Sequence, residues 1–465
     1  MHLGSQRAVG VALLGLSGLL ALPTFAQAPE QPPAEAKPPP TKPVPVVRPA
    51  PAASLELAAR RLVQGLAPVP PGLAVGIAPL ESDQPAPQAD ALGQKLAQLI
   101  AGKLEGEVIA ATEVDALRDL AADRAGFLWL APKIHEGRLV IGADVYRLPR
   151  TIWSRARGQA KGPLRHAAAH APIDGEIRAY LAPVTIARSP SVVRHPGLDS
   201  DIEALACGDL DGDGDNDVVT ITRQRILHLE LPTEGPVARR REALWADLAP
   251  IAAVPLRQPL AFATIVEASD RAGHLDVAIT DRRGSLRLDA GLSLVQRLEG
   301  KAIPHGGATA CTWIFHQLLG NEARPCTDAD PAPAVPAFAQ PSDAMASAFV
   351  VDASGAGRTL VALRHAGTVI LHDGDEERRL LRVGAQLALA DLDQDGDPEL
   401  ATTVDTLGPR YDALDVRTLR PDGRLERRYR LPVTTGVEAL AACPPDGAGP
   451  AALLVATAGE LWEVR

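Results

Sequence analysis

The sequence has few aromatic residues, and this scarcity limits the functions it can serve. Phe, Trp and Tyr make up only 3% of its 465 residues. Base-stacking platforms and aromatic-lined sugar clefts both depend on such side chains. Basic residues are also outnumbered, because 47 Lys and Arg stand against 57 Asp and Glu, for a formal net charge of −10. This balance argues against a general nucleic-acid binder, which displaces counterions with clustered Lys and Arg.

Long apolar runs are lacking after the N-terminus, so the sequence predicts no transmembrane segment. At the N-terminus, Arg7 precedes 14 residues of apolar character, Val9 to Leu22, and Ala26-Gln27-Ala28 follows. A basic start, a short apolar run and a small-x-small site are typical of a signal peptide, here residues 1–28. A buried helix is the alternative, but the flanks favour export. We therefore expect a periplasmic or secreted protein.

Proline is concentrated directly after this segment. Residues 29–52 contain ten prolines in 24 positions. Proline fixes φ and removes backbone donors, so the sequence predicts an extended, solvated linker over residues 29–53.

Cysteine is scarce, with Cys207, Cys311, Cys326 and Cys443 the only four. In an exported chain four cysteines suggest two disulfides, with three possible pairings. The short separation favours Cys311 with Cys326, which leaves Cys207 for Cys443. Zinc is the weaker interpretation, because no C-x-x-C spacing occurs.

Residues 54–181 alternate between helical and strand patterns, which predicts a small α/β domain. Helices are expected at 54–66, 91–104, 114–122 and 171–181. Strands are expected at 72–80 and 108–111, with a hairpin over 127–148 and a further strand at Trp153. The segments AVGIAPLES, ALGQKLAQLIAGKL and FLWLAPKIHEGRLVIGADVYRL together resemble the TolB N-terminal and CsgG-like domain. That resemblance implies an envelope assembly and docking module without catalysis.

Internal repeats dominate residues 182–465. The clearest copies are IEALACGDLDGDGDNDVVTIT at 202–222 and AQLALADLDQDGDPELATTV at 385–404. Weaker copies lie at 260–280, 347–363 and 437–457. Each is followed by a tight turn between two strands, with Gly284, Gly367 or Gly459 at the turn. A small antiparallel sheet cannot bury both faces alone, so the repeats predict a β-propeller.

The spacing of the repeats suggests five to seven blades, with a further blade or an insertion around 300–343. The last blade has only three strands at the C-terminus. We expect PVTIA at 183–187 to supply the missing outer strand, which would bring Cys207 near Cys443. The D-x-D-x-D-G-x-x-[D/E] motifs resemble the FG-GAP/VCBS repeat of integrin-like propellers.

The two acidic loops predict two calcium sites. Asp at positions 1, 3 and 5 can point to one focus, Gly at 6 permits a sharp turn, and all-oxygen ligation suits Ca²⁺. Position 12 is Thr220 or Thr402 within β-rich sequence, which rejects an EF-hand. A solvated acidic turn and a catalytic carboxylate pair are the less favoured alternatives. The candidate ligands are Asp209, Asp211, Asp213, Asp215, Asp217, Asp391, Asp393, Asp395, Asp397 and Glu399.

These ten acids equal the whole acidic excess of the chain (57 − 47 = 10). The acidity is therefore concentrated in two loops and indicates metal binding. The weaker copies keep fewer acids: Asp270 and Asp276 in the copy at 260–280, Asp352 in the copy at 347–363, and Asp446 in the copy at 437–457. We expect plain turns in these copies.

The histidines give weaker evidence of a metal-binding or catalytic site than the acidic loops do. His166 and His170 have helical i, i+4 spacing but no third ligand, so surface histidines are the better interpretation. His305 and His316 lie in the irregular stretch at 300–343. No nucleophile elbow, phosphate-binding loop or H-E-x-x-H motif occurs in the sequence after the signal.

We therefore predict an exported, non-catalytic calcium-binding propeller that acts as an envelope interaction or scaffold module with a protein partner. The alternative is an extracellular hydrolase or lyase acting on glycans or lipids, at the propeller mouth or at 300–343. A pocket with convergent polar groups near His305 and His316 would favour the enzyme.

Overall fold

The computed structural model describes residues 53–465, apart from 136, 149–161, 214, 233–234, 253–258, 268–272, 316–317, 329, 331, 334–336, 339, 407 and 446–450. The predicted signal peptide, the Pro-rich segment up to residue 52 and the strand expected at Trp153 lie outside these residues.

The first part of the described chain is a mixed β-sheet with helices packed on it, here called the N-terminal layer. The sheet order is β3-β1-β4-β5-β6, and β2 pairs with β4. Strands β3, β1 and β4 are parallel, whereas β4, β5 and β6 are antiparallel. Its elements are α1 (Ser54–Leu66), β1 (Ala74–Ile77), β2 (Glu81–Ser82), α2 (Ala89–Lys103), β3 (Glu107–Val108), α3 (Val114–Leu120), β4 (Gly126–His135), β5 (Arg138–Arg147), β6 (Arg165–Pro172) and α4 (Gly175–Arg178).

Apolar spacing explains why the long helices pack on this sheet. In α1, Leu55, Leu62 and Leu66 recur at helical spacing and are fully buried. In α2, Leu96 and Ile100 do the same. Each helix thus has one apolar face, which covers the inner face of the sheet.

One local prediction in the N-terminal layer is wrong. The expected helix at 171–181 is replaced by the end of β6 and by the four residues of α4. The Asp174 carboxylate accepts the Ile177 N–H at 3.1 Å, so the helix starts only after Asp174.

His166 and His170 are surface histidines, as predicted. They lie on strand β6, where their even spacing places both on one exposed face.

Within the described residues, the rest of the chain forms six antiparallel sheets arranged as a six-bladed propeller. Each innermost strand packs against that of the next blade, in the order β8, β12, β16, β19, β23, β27 and back to β8. A closed ring of this kind covers both faces of every blade. The blade number falls within the predicted range, whereas the domain boundary predicted at 181/182 stays a prediction.

The blades follow one another along the chain. Blade 1 is β8 (Ile202–Gly208), β9 (Asp217–Thr222), β10 (Arg225–Glu230) and β11 (Ala238–Leu244), followed by the short helix α5 (Trp245–Leu248). Blade 2 is β12 (Ala261–Val266), β13 (His274–Ile279), β14 (Ser285–Leu288) and β15 (Leu294–Leu298). Blade 3 is β16 (Lys301–His305), β17 (Ala308–Phe315) and β18 (Leu318–Pro325).

The second half of the ring has the same plan. Blade 4 is β19 (Ala344–Val351), β20 (Gly357–His365), β21 (Thr368–Asp373) and β22 (Glu376–Leu381). Blade 5 is β23 (Val383–Ala390), β24 (Glu399–Val404), β25 (Ala413–Leu419) and β26 (Leu425–Pro432), with a 3₁₀ turn at Pro409–Tyr411. Blade 6 is β27 (Ala439–Cys443), β28 (Ala452–Thr457), β29 (Glu460–Val464) and the earlier strand β7 (Val192–Pro196).

An earlier strand completes the last blade, as predicted, but this strand is not the predicted segment. Strand β7 pairs with β29 and completes blade 6, whereas PVTIA at 183–187 forms no strand. The open edge of β29 has to be covered, and β7 covers it in antiparallel register.

Two disulfides stabilise the propeller. Cys207 at the end region of β8 is bonded to Cys443 on β27, and therefore links blade 1 to blade 6. Cys311 on β17 is bonded to Cys326, which follows β18 in the same blade. The favoured pairing is thus confirmed.

Candidate metal-binding loops

The acidic motifs occupy equivalent places in blades 1 and 5, where the innermost strand turns into the second strand. Asp209 follows β8, and Asp391 follows β23. Position 9 of each motif is the first residue of the next strand: Asp217 pairs with Gly208, and Glu399 pairs with Ala390. The two loops between these pairs, residues 209–217 and 391–399, are called the first and the second acidic loop.

The second acidic loop brings three carboxylates together. Asp391, Asp393 and Asp395 each offer one oxygen, and these oxygens all lie within 4.8 Å of one another. The Asp393 side chain is only 3% exposed. Within the described part of the chain, one oxygen each of Asp391 and Asp393 is buried and accepts no hydrogen bond. Each of these two oxygens is an acceptor with unused lone pairs in a partly dehydrated loop.

Burial and mutual repulsion disfavour the charged forms of these groups. Burial, together with the neighbouring Asp395 and Asp393 charges, raises the pKa of Asp391 to about 7. Burial and the Asp395 charge likewise raise the pKa of Asp393 to about 7. Carboxylates at this range repel one another strongly unless a cation neutralises them. The cluster therefore has the donor set and the electrostatic demand of a hard divalent cation site.

The remaining acids of the second loop are outside this three-carboxylate group. Glu399 is 1% exposed and accepts hydrogen bonds from the Thr418 hydroxyl at 2.7 Å and the Leu392 N–H at 2.8 Å. Burial and the Asp393 charge raise its pKa to about 9. Asp397 pairs with Arg420 at 3.4 Å. These two side chains hold the loop in place around the cluster.

The first acidic loop is more exposed, and its carboxylates already have partners. Asp209, Asp211 and Asp217 offer oxygens within 4.8 Å of one another. However, one Asp217 oxygen lies 2.6 Å from His228 Nε2, and the other accepts the Leu210 N–H at 3.0 Å. Burial alone would raise the pKa of Asp217, but the bond and charge of His228 bring it below its usual value.

Two further contacts weaken the case for the first loop. Arg240 Nη1 lies 3.5 Å from Asp217 Oδ1 and supplies a positive charge. Asp213 and Asp215 are exposed and lie outside the three-carboxylate group, and Asp213 Oδ1 accepts the Asp215 N–H at 2.9 Å. The two motifs are alike in sequence, yet only the second one encloses buried oxygens without hydrogen bonds in the described structure.

The acids of the degenerate copies take part in other interactions. Asp276 forms a two-point ion pair with Arg287, with both hydrogen bonds at 2.8 Å. Asp352 accepts the Ser354 N–H at 2.8 Å and the Ala356 N–H at 3.1 Å, which makes a plain turn. Asp270 and Asp446 lie outside the described residues.

Sequence reasoning missed the residues that decide the difference between the loops. His228 and Thr418 come from neighbouring strands of the same blade, and Arg178 comes from α4 of the N-terminal layer. His228 lies in β10, where four successive residues from Ile226 to Leu229 are buried, so no alternation of apolar and polar residues marks it in the sequence.

The structure places His305 in the interior of blade 3, whereas His316 lies outside the described residues. His305 is 7% exposed, and burial lowers its pKa to about 4. A cleft in the described structure lies between blades 4, 5 and 6, and its lining includes Thr403, Asp405 and Val437 rather than His305. His166 is exposed and lies 2.8 Å from Asp144.

Comparison with known proteins gives distant structural likenesses only. No protein-family model matches the chain, and no curated protein matches it. Among solved structures, BBS1N in complex with ARL6DN is 14% identical, covering 60% of this chain and 97% of that one, with a TM-score of 0.33. TolB from Acinetobacter baumannii is 8% identical, covering 85% and 94%, with a TM-score of 0.28. The LpoB C-terminal domain from Salmonella enterica is 6% identical, covering 26% and 96%, with a TM-score of 0.19.

The length and apolar character of the helices bear on whether they could enter a membrane. In the part of the chain that is described, none of them combines the length and the apolar character needed to cross a bilayer.

Proposed function

We propose that this chain is an exported calcium-binding propeller of the FG-GAP/VCBS type that serves as an envelope interaction or scaffold module. In this proposal, calcium stabilises the inter-strand loops, and the propeller presents a surface to a protein partner. A six-bladed propeller is consistent with a protein-interaction module. Two disulfides are consistent with an oxidising compartment outside the cytoplasm.

The buried oxygen of Asp393 carries the calcium part of the proposal. A carboxylate that is nearly fully buried and accepts no hydrogen bond at one oxygen is costly, unless a cation compensates for it. Two more carboxylates point to the same space. Calcium prefers several oxygen ligands in a flexible loop, and this loop offers only oxygen.

The structure also supports a ranking of the two loops. In the second loop, Asp391, Asp393 and Asp395 would hold the ion, while Glu399 and Asp397 would support the loop. In the first loop, Arg240 already offers a positive charge to Asp217, and His228 Nε2 lies 2.6 Å from one of its oxygens. We therefore expect the second loop to bind calcium more tightly than the first.

Calcium titration calorimetry of the full chain tests this proposal. Asp393→Asn keeps the size of the side chain but removes its charge, so it should abolish the tighter of the two binding events. Asp352→Asn is the matched control, because Asp352 occupies the equivalent loop of blade 4 without an acidic cluster. The control should bind calcium as the unmodified chain does. An unmodified chain that gives no calcium heat, or an Asp393→Asn variant that binds unchanged, would overturn the proposal.

A further inference from the structure

Helix α4 of the N-terminal layer packs directly against the second acidic loop. A side-chain carbon at Gly175 would lie 2.1 Å from the Val351 carbonyl oxygen and 3.1 Å from Gly396 Cα. Val351 ends the first strand of blade 4, and Gly396 belongs to the second acidic loop. The backbones approach so closely that only glycine fits at position 175.

Arg178, at the end of α4, connects the two parts more specifically. Its side chain is 7% exposed. One guanidinium nitrogen donates to Gln84 Oε1 of the N-terminal layer at 2.8 Å, and the other donates to Gln394 Oε1. Gln394 lies between Asp393 and Asp395, and its left-handed φ of 59° turns the loop at that point.

The positive charge of Arg178 therefore lies beside the carboxylate cluster. Burial lowers the pKa of Arg178, whereas the negative charges of Asp391 and Asp393 raise it. The neighbouring Glu176 is occupied elsewhere, because Lys95 pairs with it at 2.6 Å. The guanidinium, which stays charged in proteins, thus interacts electrostatically with the same two carboxylates that would hold a cation.

We propose that calcium in the second acidic loop and the docking of α4 compete for the same negative charge, so that calcium loosens the contact between α4 and the propeller. Arg178 is the coupling residue. This inference rests on the proposed function, since it requires calcium to bind in the loop.

The sign of the coupling follows from electrostatics. Without the ion, the carboxylates attract the guanidinium and hold α4 against the loop. A divalent cation among the same carboxylates replaces this attraction with repulsion of Arg178, in a partly dehydrated site where charges act strongly. Because coupling between two binding events is reciprocal, Arg178 must in turn lower the affinity of the loop for calcium.

Hydrogen exchange of the unmodified full chain, with calcium or with EDTA, tests the structural side. We expect the amides of residues 175–181 to exchange about fivefold or more faster with calcium, the lower end of typical coupling. Equal or slower exchange with calcium, while calorimetry shows calcium binding, would overturn this inference alone. Absence of calcium binding would overturn the proposed function and this inference with it.

Two substitutions test the coupling residue. Arg178→Met removes the charge, so exchange in α4 should no longer respond to calcium, and the calcium affinity of the tighter site should rise about fivefold or more. Arg178→Lys keeps a positive charge and should preserve the response. An Arg178→Met variant with unchanged calcium affinity would contradict the inference. If that variant does not fold, the exchange of the unmodified chain still decides the matter.

Discussion

At the scale of single residues, the position of a carboxylate relative to its neighbours matters more than its place in the motif. Asp217 and Asp393 both belong to acidic loops, but His228 lies 2.6 Å from Asp217, whereas one oxygen of Asp393 accepts no hydrogen bond among the described residues. A histidine partner makes a buried carboxylate tolerable. A buried oxygen without a hydrogen-bond donor is costly unless a cation binds it, and the proposed ranking, with the stronger site in blade 5, rests on this difference.

His305 gives a residue-scale prediction of pH dependence. Burial lowers its pKa to about 4, below the ordinary value of about 6.5. Between these values the unfolded chain binds the proton and the folded chain does not, so this histidine makes the folded state less stable as the pH falls. From well above pH 6.5 to well below pH 4, the free energy of unfolding falls by about 3 kcal/mol because of this histidine.

Urea unfolding at pH 7.5 and pH 4.5 measures this effect. The His305→Met variant, which cannot titrate there, should lose about 2–3 kcal/mol less stability on acidification than the unmodified chain. The comparison uses only the change in the free energy of unfolding between the two pH values, so any pH-independent effect of the substitution cancels. An equal loss in both proteins would show that His305 is protonated as readily in the folded state.

Of the five acids predicted as ligands in the second loop, the structure brings together Asp391, Asp393 and Asp395, which stand at alternate positions, and leaves Asp397 and Glu399 outside the group. The sequence could not predict that His228 would hydrogen-bond to Asp217, or that Arg178 of α4 would contact the second loop. Those contacts join residues from different strands or layers, and no local pattern encodes them.

At the scale of elements, strand β7 shows how the ring is closed. Ser191 and Arg465 exchange two backbone hydrogen bonds, at 2.8 and 3.0 Å. Hydrogen-bonded pairs alternate along an antiparallel ladder, so Val193 and Glu463 form the next such pair. Arg194, the next residue of β7, pairs with Trp462 and lies over its ring, with its guanidinium carbon 4.2 Å from the ring centre. Backbone bonds and side-chain packing together select this segment.

The pairing of Val193 predicts a specific sensitivity to proline. Val193→Pro removes the N–H and leaves a carbonyl of β29 without its donor, which should lower the free energy of unfolding by about 1–3 kcal/mol. Val193→Thr keeps the N–H and the β-branched shape on this half-exposed position, so it should change stability by less than about 0.5 kcal/mol. Urea unfolding compares the two variants. Equal stability of both would mean that β7 does not contribute to closing the ring.

The sequence predicted a closing strand at 183–187, whereas the observed strand is Val192–Pro196. Both segments are short, and β-propensity alone does not separate them. The choice depends on the distance to β29, which only the assembled ring determines. Blade 3 was hidden for a related reason: β16 and β17 are joined by a turn at Gly306 and Gly307, so this blade has no loop in which the repeat motif could appear.

At the scale of the whole molecule, a disulfide and a strand pairing together close the propeller ring. The Cys207–Cys443 disulfide joins residues 236 positions apart, at the same junction of blades 1 and 6 that β7 reinforces by pairing with β29. Cross-links over long loops restrict the unfolded chain most. Calcium in the acidic loops would add stability of another kind, because it would offset repulsion within the folded state itself.

The melting temperature of the full chain in calcium and in EDTA tests most directly whether the second acidic loop is a calcium site. Calcium should raise the melting temperature, since an ion at a hundred times its dissociation constant adds about 2.7 kcal/mol per site. Asp393→Asn, which relieves carboxylate repulsion, should melt no lower than the unmodified chain in EDTA, yet gain less from calcium. Identical melting of the unmodified chain in calcium and in EDTA would mean that this loop is not a calcium site.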